Sequence, residues 1–375
     1  MRIAFLANPN ETLVREWMAH FVRRGHVVSL IVRAGAEISP GLETEISVHR
    51  IPPYHGMVLG RLRAPRARRA IGQVLAEIRP DILHVHDLTT GYGWLAWLSG
   101  YRPYVLSAWG SDVYFALSRS RTDRIVARLQ LRDADLVTAN SDDLRRATIR
   151  MGARPSRIHT IHAGIDLARF YPAQPDPALR SRLQLEGSRV VFSPRQIAPL
   201  YEHVSVVRAL AALPSDVVLL LSAHNAHPDY LRAIRECAAH DGVEHRLRIV
   251  PTIDHDEMAA YLRLADVVVS VPRSDAAAAT ILEALACGRP VVASALPSPK
   301  EWLGELSPEL LVPVGDDAAI AAAVSLALSL DPETARRRAN AGISMILARG
   351  ERHESMLRME RLYRSAVAAW RRSPV

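Results

Sequence analysis

The feature that most constrains this chain is a rhythm that runs twice. Short β-branched runs alternate with longer amphipathic stretches, first over residues 3–161 and again over residues 190–312. In the first pass, residues 3–6 read as a buried strand. A helix is expected from 12 to 24, because Val14, Trp17, Met18 and Phe21 fall at i, i+3, i+4 and i+7. Gly25 stops it, and strands are expected at 27–32, 82–85, 104–106, 136–138 and 158–161. The second pass places strands at 190–192, 217–221, 247–250, 267–271, 291–293 and 310–312. Asp254 with Glu257 three residues on reads as a capping box opening one of the intervening helices. A last helix is expected over 351–370. Strands separated by helices imply parallel βαβ units, with helices covering both sheet faces. The fold class is therefore α/β, with two Rossmann-like doubly wound parallel-sheet domains.

At 375 residues the chain is too long for one ordinary core. Pro172, Pro175 and Pro177 mark the break. The expected division is a domain over 1–171, a linker over 172–188, a domain over 189–350, and a C-terminal helix and tail over 351–375. A net charge of +8 favours anionic partners: a diphosphate, a nucleic acid or an acidic membrane face. The chain lacks interleaved aromatic and basic residues or a recognised nucleic-acid module, so nucleic acid is not the expected partner. Two cysteines, Cys237 and Cys287, cannot build a disulfide framework. Residues 1–6 run straight into a strand pattern without a leader, and no apolar run reaches the ~20 residues of a membrane span. A cytoplasmic protein is expected, with peripheral membrane contact through Arg61, Arg63, Arg66, Arg68 and Arg69; a plain solvated basic face explains that stretch at least as well.

The segment from Ala265 to Val292 reads strand, loop, helix, glycine stop, strand. Asp275 falls in the loop and Glu283 about two turns into the helix. Between them, Ala276 to Ala279 and Thr280 leave backbone amides open at a helix N-terminus, which holds an anion without a metal. Either carboxylate alone would usually be a cap or a solvated residue; their spacing in this context tips the balance towards a paired site. Arg195 closes the first strand of the second half, where a guanidinium can fork onto phosphate oxygens.

These residues closely resemble the acid-x7-acid signature of the retaining glycosyltransferases of the GT-B fold, family 4. The resemblance spans nearly the whole chain, taking in Asp81–His86, Gly110-Ser111-Asp112 and the run from Ile161 to Phe170. It implies that a C-terminal helix crosses back to the first domain. It implies that Asp275 lies by the donor sugar, that Glu283 binds the ribose hydroxyls, and that Arg195 grips the diphosphate. The amides of Ala277, Ala278, Ala279 and Thr280 would share that grip, and Thr252 and Ile253 would meet the nucleobase through backbone groups. The donor would be a nucleoside diphosphate sugar, UDP before GDP. The acceptor would be a small molecule, a glycan or a lipid-linked sugar. No metal or other cofactor is expected: His84 and His86 form an H-x-H pair without a third ligand.

The sequence departs from the family mildly at Asp275, where glutamate is usual, and in three further places. Leu200 stands where a lysine is usual, although Pro199-Leu200-Tyr201 resembles a known variant. Asn8-Pro9-Asn10-Glu11 replaces a glycine-rich loop, with Asn10 expected to cap the following helix. Trp109 replaces a histidine, and stacking on a sugar or filling core are equal readings. Asp112 and His86 are the remaining catalytic candidates; a turn cap is an equal reading for Asp112. Two alternatives follow: a nucleotide-sugar 2-epimerase, or a non-catalytic nucleotide-sugar-binding subunit.

Overall fold

The stripe of Val14, Trp17, Met18 and Phe21 is buried on one side of a helix, as its spacing requires. The computed structural model describes residues 1–38, 42–52, 57–86, 88, 91–114 and 121–372. In chain order the first elements are β1 (Arg2–Leu6), α1 (Thr12–Arg23), β2 (Val27–Arg33), α2 (Leu42–Glu45), β3 (Ser47–Ile51), α3 (Met57–Ile78), β4 (Ile82–His86) and α4 (Tyr92–Ser99). Then come β5 (Tyr104–Ala108), α5 (Ser111–Tyr114), α6 (Arg121–Asp133), β6 (Leu136–Ala139), α7 (Asp142–Met151) and β7 (Ile158–Thr160). The second run holds α8 (Pro177–Arg182), β8 (Arg189–Ser193), α9 (His203–Ala211), β9 (Val217–Ser222), α10 (Pro228–His240), β10 (Leu247–Val250), α11 (Met258–Leu264) and β11 (Val267–Ser270). It continues with α12 (Ala279–Ala286), β12 (Val291–Ser294), α13 (Pro297–Leu303), β13 (Leu311–Val312), α14 (Asp317–Leu328) and α15 (Pro332–Arg349), and α16 (Arg352–Arg372) ends the chain.

Two compact units result, residues 1–163 with 354–375, and residues 164–353. The first is built on a parallel sheet of order β3-β2-β1-β4-β5-β6-β7, the second on one of order β10-β9-β8-β11-β12-β13. In each, successive crossovers run one way and then reverse, between β1 and β4 in the first sheet and between β8 and β11 in the second. The loops leaving the carboxyl ends of those paired strands diverge and open a crevice, which is where such sheets bind ligands.

Two expectations are corrected, and one strand is additional to those expected. The proline-rich stretch is not a free linker: Asp176 caps α8 by accepting from the Ala178 amide at 2.9 Å, and Phe170, Leu179 and Leu185 are buried in the second unit's core. The capping box at Asp254 does not form. There α11 begins at Met258 behind Glu257, whose side chain caps nothing, and the Asp254 carbonyl accepts the amides of Glu257 and Met258 instead. Strand β3 has no counterpart among the expected strands, because an edge strand paired only with β2 and half exposed needs no continuous apolar run.

The last helix packs in the first unit. Met356, Met359, Tyr363 and Val367 form its apolar stripe and join Phe5, Trp17 and Phe21 in one core. Beside them Glu360, 4% exposed, pairs with Arg24 at 3.2 Å, with His26 at 3.2 Å and with Arg364 at 2.6 Å. Burial alone would raise its pKa, but hydrogen bonds from Arg364 and Arg24 and the charges of His26 and Arg24 hold it at about 2.

Within the second unit, the Ile165 amide donates to the Gly350 carbonyl at 2.8 Å and the Arg352 amide to the Ile165 carbonyl at 3.1 Å. Gly164 adjoins this pairing at φ 74°, and a Cβ there would lie 2.4 Å from the Arg352 Cα. Gly164→Ala therefore meets left-handed strain and a backbone clash together. It is expected to cost about 2–4 kcal/mol, read as a melting temperature lower by several degrees in calorimetry.

Candidate active site

Arg195 leaves the carboxyl end of β8 and Asp275 lies in the loop after β11, so both stand at the crevice of the second sheet. The Arg195 side chain is 14% exposed. Its Nη1 donates to Thr280 Oγ1 at 3.2 Å and lies 3.4 Å from Asp275 Oδ2, while its guanidinium stacks 4.6 Å from the centre of the Tyr201 ring. Asp275 Oδ2 is buried and makes no hydrogen bond of its own, so the charge of Arg195 is what balances it. Asp275 Oδ1 accepts from the amides of Ala277 and Ala278 at 3.2 and 3.1 Å.

That capping corrects part of the expected phosphate cradle. Of the four amides from Ala277 to Thr280, the first two are already held by Asp275, and those of Ala279 and Thr280 have no partner among the described residues. Ala278 begins α12 at φ 50°, a left-handed conformation that costs a non-glycine residue energy and is kept where surrounding structure fixes it. Glu283 lies one turn into α12 and is half-buried.

The turn carrying Tyr201 is tied down on its far side. Glu202 is buried at φ 53°, pairs with Arg273 and accepts from Ser205 Oγ at 3.2 Å. The Arg273 amide donates to the Leu200 carbonyl at 2.9 Å. The loop after β8 and the loop after β11 are thus joined twice, and that junction fixes the ring on which Arg195 rests. His203 opens α9 behind it; burial and the charge of Arg195 push its pKa down to about 4, so it is neutral at pH 7. Glu202 and Arg273 are not among the site residues expected from sequence, and Tyr201 enters there only within the Pro199-Leu200-Tyr201 variant, since nothing local marks a stacking tyrosine or a cross-loop pair.

Thr252 is exposed beyond the end of β10, and Ile253 is buried with its amide 3.4 Å from Ser222 Oγ. β10 lies two strands from β8, roughly 10 Å at about 4.8 Å per strand.

In the first unit the candidates divide. Asp112, 1% exposed, accepts from the amides of Leu88, Trp109 and Gly110 at 3.1, 3.0 and 2.8 Å. Its carboxylate braces the turn, the reading that the sequence weighs equally with a catalytic role. Asn10 does not cap α1; Glu11 occupies that place without a side-chain cap, and the Asn10 amide donates to Asn8 Oδ1 at 3.2 Å. His86 is buried among Phe5, Trp17, His84 and Trp109, and burial takes its pKa to about 3. An imidazole with so little proton affinity stays neutral at pH 7. His84 is the hydrogen-bonded member: Nε2 meets Ser107 Oγ at 2.6 Å, Ser107 meets Thr138 Oγ1 at 2.6 Å, and Tyr363 binds Nδ1.

Trp109 lies at the edge of a cavity of ≈ 260 Å³ at the crevice of the first sheet, lined also by Asn8, Glu11, Val14, His86, Tyr92 and Ser111. Arg66, Arg68 and Arg69 are exposed on α3; the side chains of Arg61 and Arg63 lie outside the described residues. No single described helix is long and apolar enough to cross a membrane.

Two family profiles match the chain: Glycosyltransferase Family 4 over residues 11–169 and Glycosyl transferases group 1 over residues 176–345. D-inositol 3-phosphate glycosyltransferase of Mycobacterium tuberculosis is 31% identical over 301 residues, which cover 74% of this chain and 62% of that one. The chain thus spans less than two thirds of the length of that relative. Among solved structures, sucrose-phosphate synthase from Thermosynechococcus elongatus superposes with a TM-score of 0.82 at 22% identity, covering 98% of this chain and 100% of the other. Anabaena Alr3699/HepE in complex with UDP-glucose gives 0.79 at 22% identity, covering 97% and 100%. Both likenesses are of fold, the two-domain GT-B architecture.

Proposed function

Because the chain belongs to the family 4, group 1 glycosyltransferases of GT-B fold, we propose that it transfers a hexose from a nucleoside diphosphate sugar to a hydroxylated acceptor, with retention at the anomeric carbon. The observation that carries the reading is Arg195 itself. Its guanidinium is held by Thr280, Asp275 and the Tyr201 ring at the mouth of the second sheet, beside the open amides of Ala279 and Thr280. Leaving-group departure builds negative charge on the distal phosphate. A fixed guanidinium and two amides at a helix start answer that charge without a divalent cation. A phosphate drawing Arg195 towards itself would leave Asp275 Oδ2 exposed to the sugar, where a carboxylate steadies an electron-poor anomeric carbon.

The strand geometry suits a nucleotide. A separation of about 10 Å from β8 to β10 supports a diphosphate and ribose running from Arg195 towards a base near Thr252 and Ile253, with Glu283, one turn along α12, as the expected partner of the ribose hydroxyls. UDP is favoured over GDP because a solved relative of the same fold carries UDP-glucose. The relative named for inositol 3-phosphate supports a small cyclic acceptor. The exposed Arg66, Arg68 and Arg69 suit contact with an acidic membrane if the acceptor is lipid-linked.

A thermal-shift panel of UDP, GDP, ADP and dTDP, followed by donor turnover with and without EDTA, tests the reading. UDP is expected to give the largest shift, and turnover is expected to survive EDTA. Nucleotide binding without release from any donor would favour a non-catalytic binding subunit. Donor consumed without an acceptor, its sugar epimerised, would favour a 2-epimerase. Loss of turnover in EDTA would overturn the metal-free mechanism.

A further inference from the structure

The cavity of the first unit lies where the loops after β1 and β4 part, the position at which a doubly wound sheet presents a ligand site. At ≈ 260 Å³ it falls just below the roughly 300–1,000 Å³ of drug-sized pockets, room for a single ring. Its chemistry is uneven. Trp109 and Tyr92 supply aromatic walls, while Asn8, Glu11 and Ser111 supply polar groups. Asn8 and Glu11 are set in advance: Asn8 Nδ2 donates to Glu11 Oε1 at 3.2 Å, and Asn8 Oδ1 accepts the Asn10 amide at 3.2 Å. A carboxylate beside an amide accepts and donates to neighbouring hydroxyls, and an aromatic wall takes the C–H face of a sugar or cyclitol ring.

The charge of the lining is the decisive feature. Among the described residues that line the cavity, Glu11 is the one charged side chain. His86 is neutral at ordinary pH, so it offers an anion no positive charge. The guanidinium of Arg33 stacks 4.6 Å from the centre of the Tyr92 ring and is not itself part of the lining. A phosphate ester placed here would meet the Glu11 carboxylate with no cationic side chain among the described lining residues to offset it. The geometry points to a binding site for one uncharged sugar or cyclic polyol, with Glu11 and Asn8 holding its hydroxyls and the Glu11 carboxylate turning away phosphorylated counterparts. This rests on the proposed function in naming that ligand as the acceptor; the cavity's preference for neutral ligands stands on its own lining.

Calorimetric titration of the full chain, in the presence of UDP, compares two pairs of probes: myo-inositol with D-inositol 3-phosphate, and methyl glucoside with glucose 6-phosphate. At least one neutral probe is expected to bind about 10-fold or more tightly than its phosphate. Glu11→Gln, on an exposed side chain, is expected to bring that ratio to within about threefold while keeping the hydrogen-bonding shape. A phosphate bound more tightly than its neutral parent overturns the inference. So does a ratio unchanged in Glu11→Gln, or failure of every neutral probe. UDP titrated alone in the same samples reports on the second unit: its failure would sink the proposed function and leave the selectivity of the cavity to be read from the neutral probes.

Discussion

Replacing Arg195 with alanine is expected to lower kcat/KM for the donor about 10²–10³-fold, the loss usual for one preorganised donor at a developing oxyanion. Two features of the site put the effect near the upper end. The guanidinium is 14% exposed, so solvent does little to weaken its field, and Tyr201 and Thr280 hold it ready before any ligand arrives. Removing it also strips Asp275 Oδ2 of its balancing charge. Arg195→Lys should recover little, since an ammonium cannot stack on the Tyr201 ring and fork onto phosphate in the same geometry. Asp275→Asn separates the two roles of that residue. The amide oxygen can still cap Ala277 and Ala278, so the melting temperature should hold while turnover falls. UDP titrations and steady-state kinetics on the three variants check this; kcat/KM within about threefold of the parent for Arg195→Ala would remove the phosphate grip from its place.

Acid is expected to unfold the first unit well before carboxylates there are protonated. Burial depresses the pKa of His86 to about 3 and that of His84 well below the usual imidazole value, with the neighbouring His86 adding to the effect. The unfolded chain binds protons at these positions near pH 6.5 and the folded chain does not. Their stabilisation is therefore complete above about pH 6.5 and is lost as pH falls towards the folded values. His86 alone removes about 2–3 kcal/mol between about pH 6.5 and 4.5, at about 1.4 kcal/mol per pH unit, and His84 acts in the same direction. His26, lowered by burial and by the N-terminal charge, also contributes. Glu360 does not contribute in that window. Held at about 2, it keeps its stabilisation down to its unfolded value near 4.5 and loses it only below that. Calorimetry from about pH 7 to 4 should show the first unit's transition falling steeply, and His86→Gln should flatten the slope by about one proton. A transition independent of pH above about 4.5 would contradict the buried neutral imidazoles.

The sequence by itself determined the architecture, because burial on both faces forces a continuous apolar run in each inner strand and a stripe of period 3.6 in each covering helix. That is why strands such as β4, β5 and β9 are legible within a residue or two, while the half-exposed edge strand β3 is not. It also located the ends of β8 and β11, and with them Arg195 and Asp275, since chain order along a doubly wound sheet fixes which loops flank the reversal. What it could not decide were matters settled by partners distant in sequence. Asp112 reads equally as catalyst or brace until the amides of Leu88, Trp109 and Gly110 are seen to converge on it. His86 reads only as a catalytic candidate until the rings of Phe5, Trp17, His84 and Trp109 are seen to close around it and lower its proton affinity. The amides after Asp275 read as four open donors until its own carboxylate takes two of them. Local pattern records which face of an element is buried; the protonation and occupancy of a polar group depend on what packing brings against it, and only the tertiary structure supplies that.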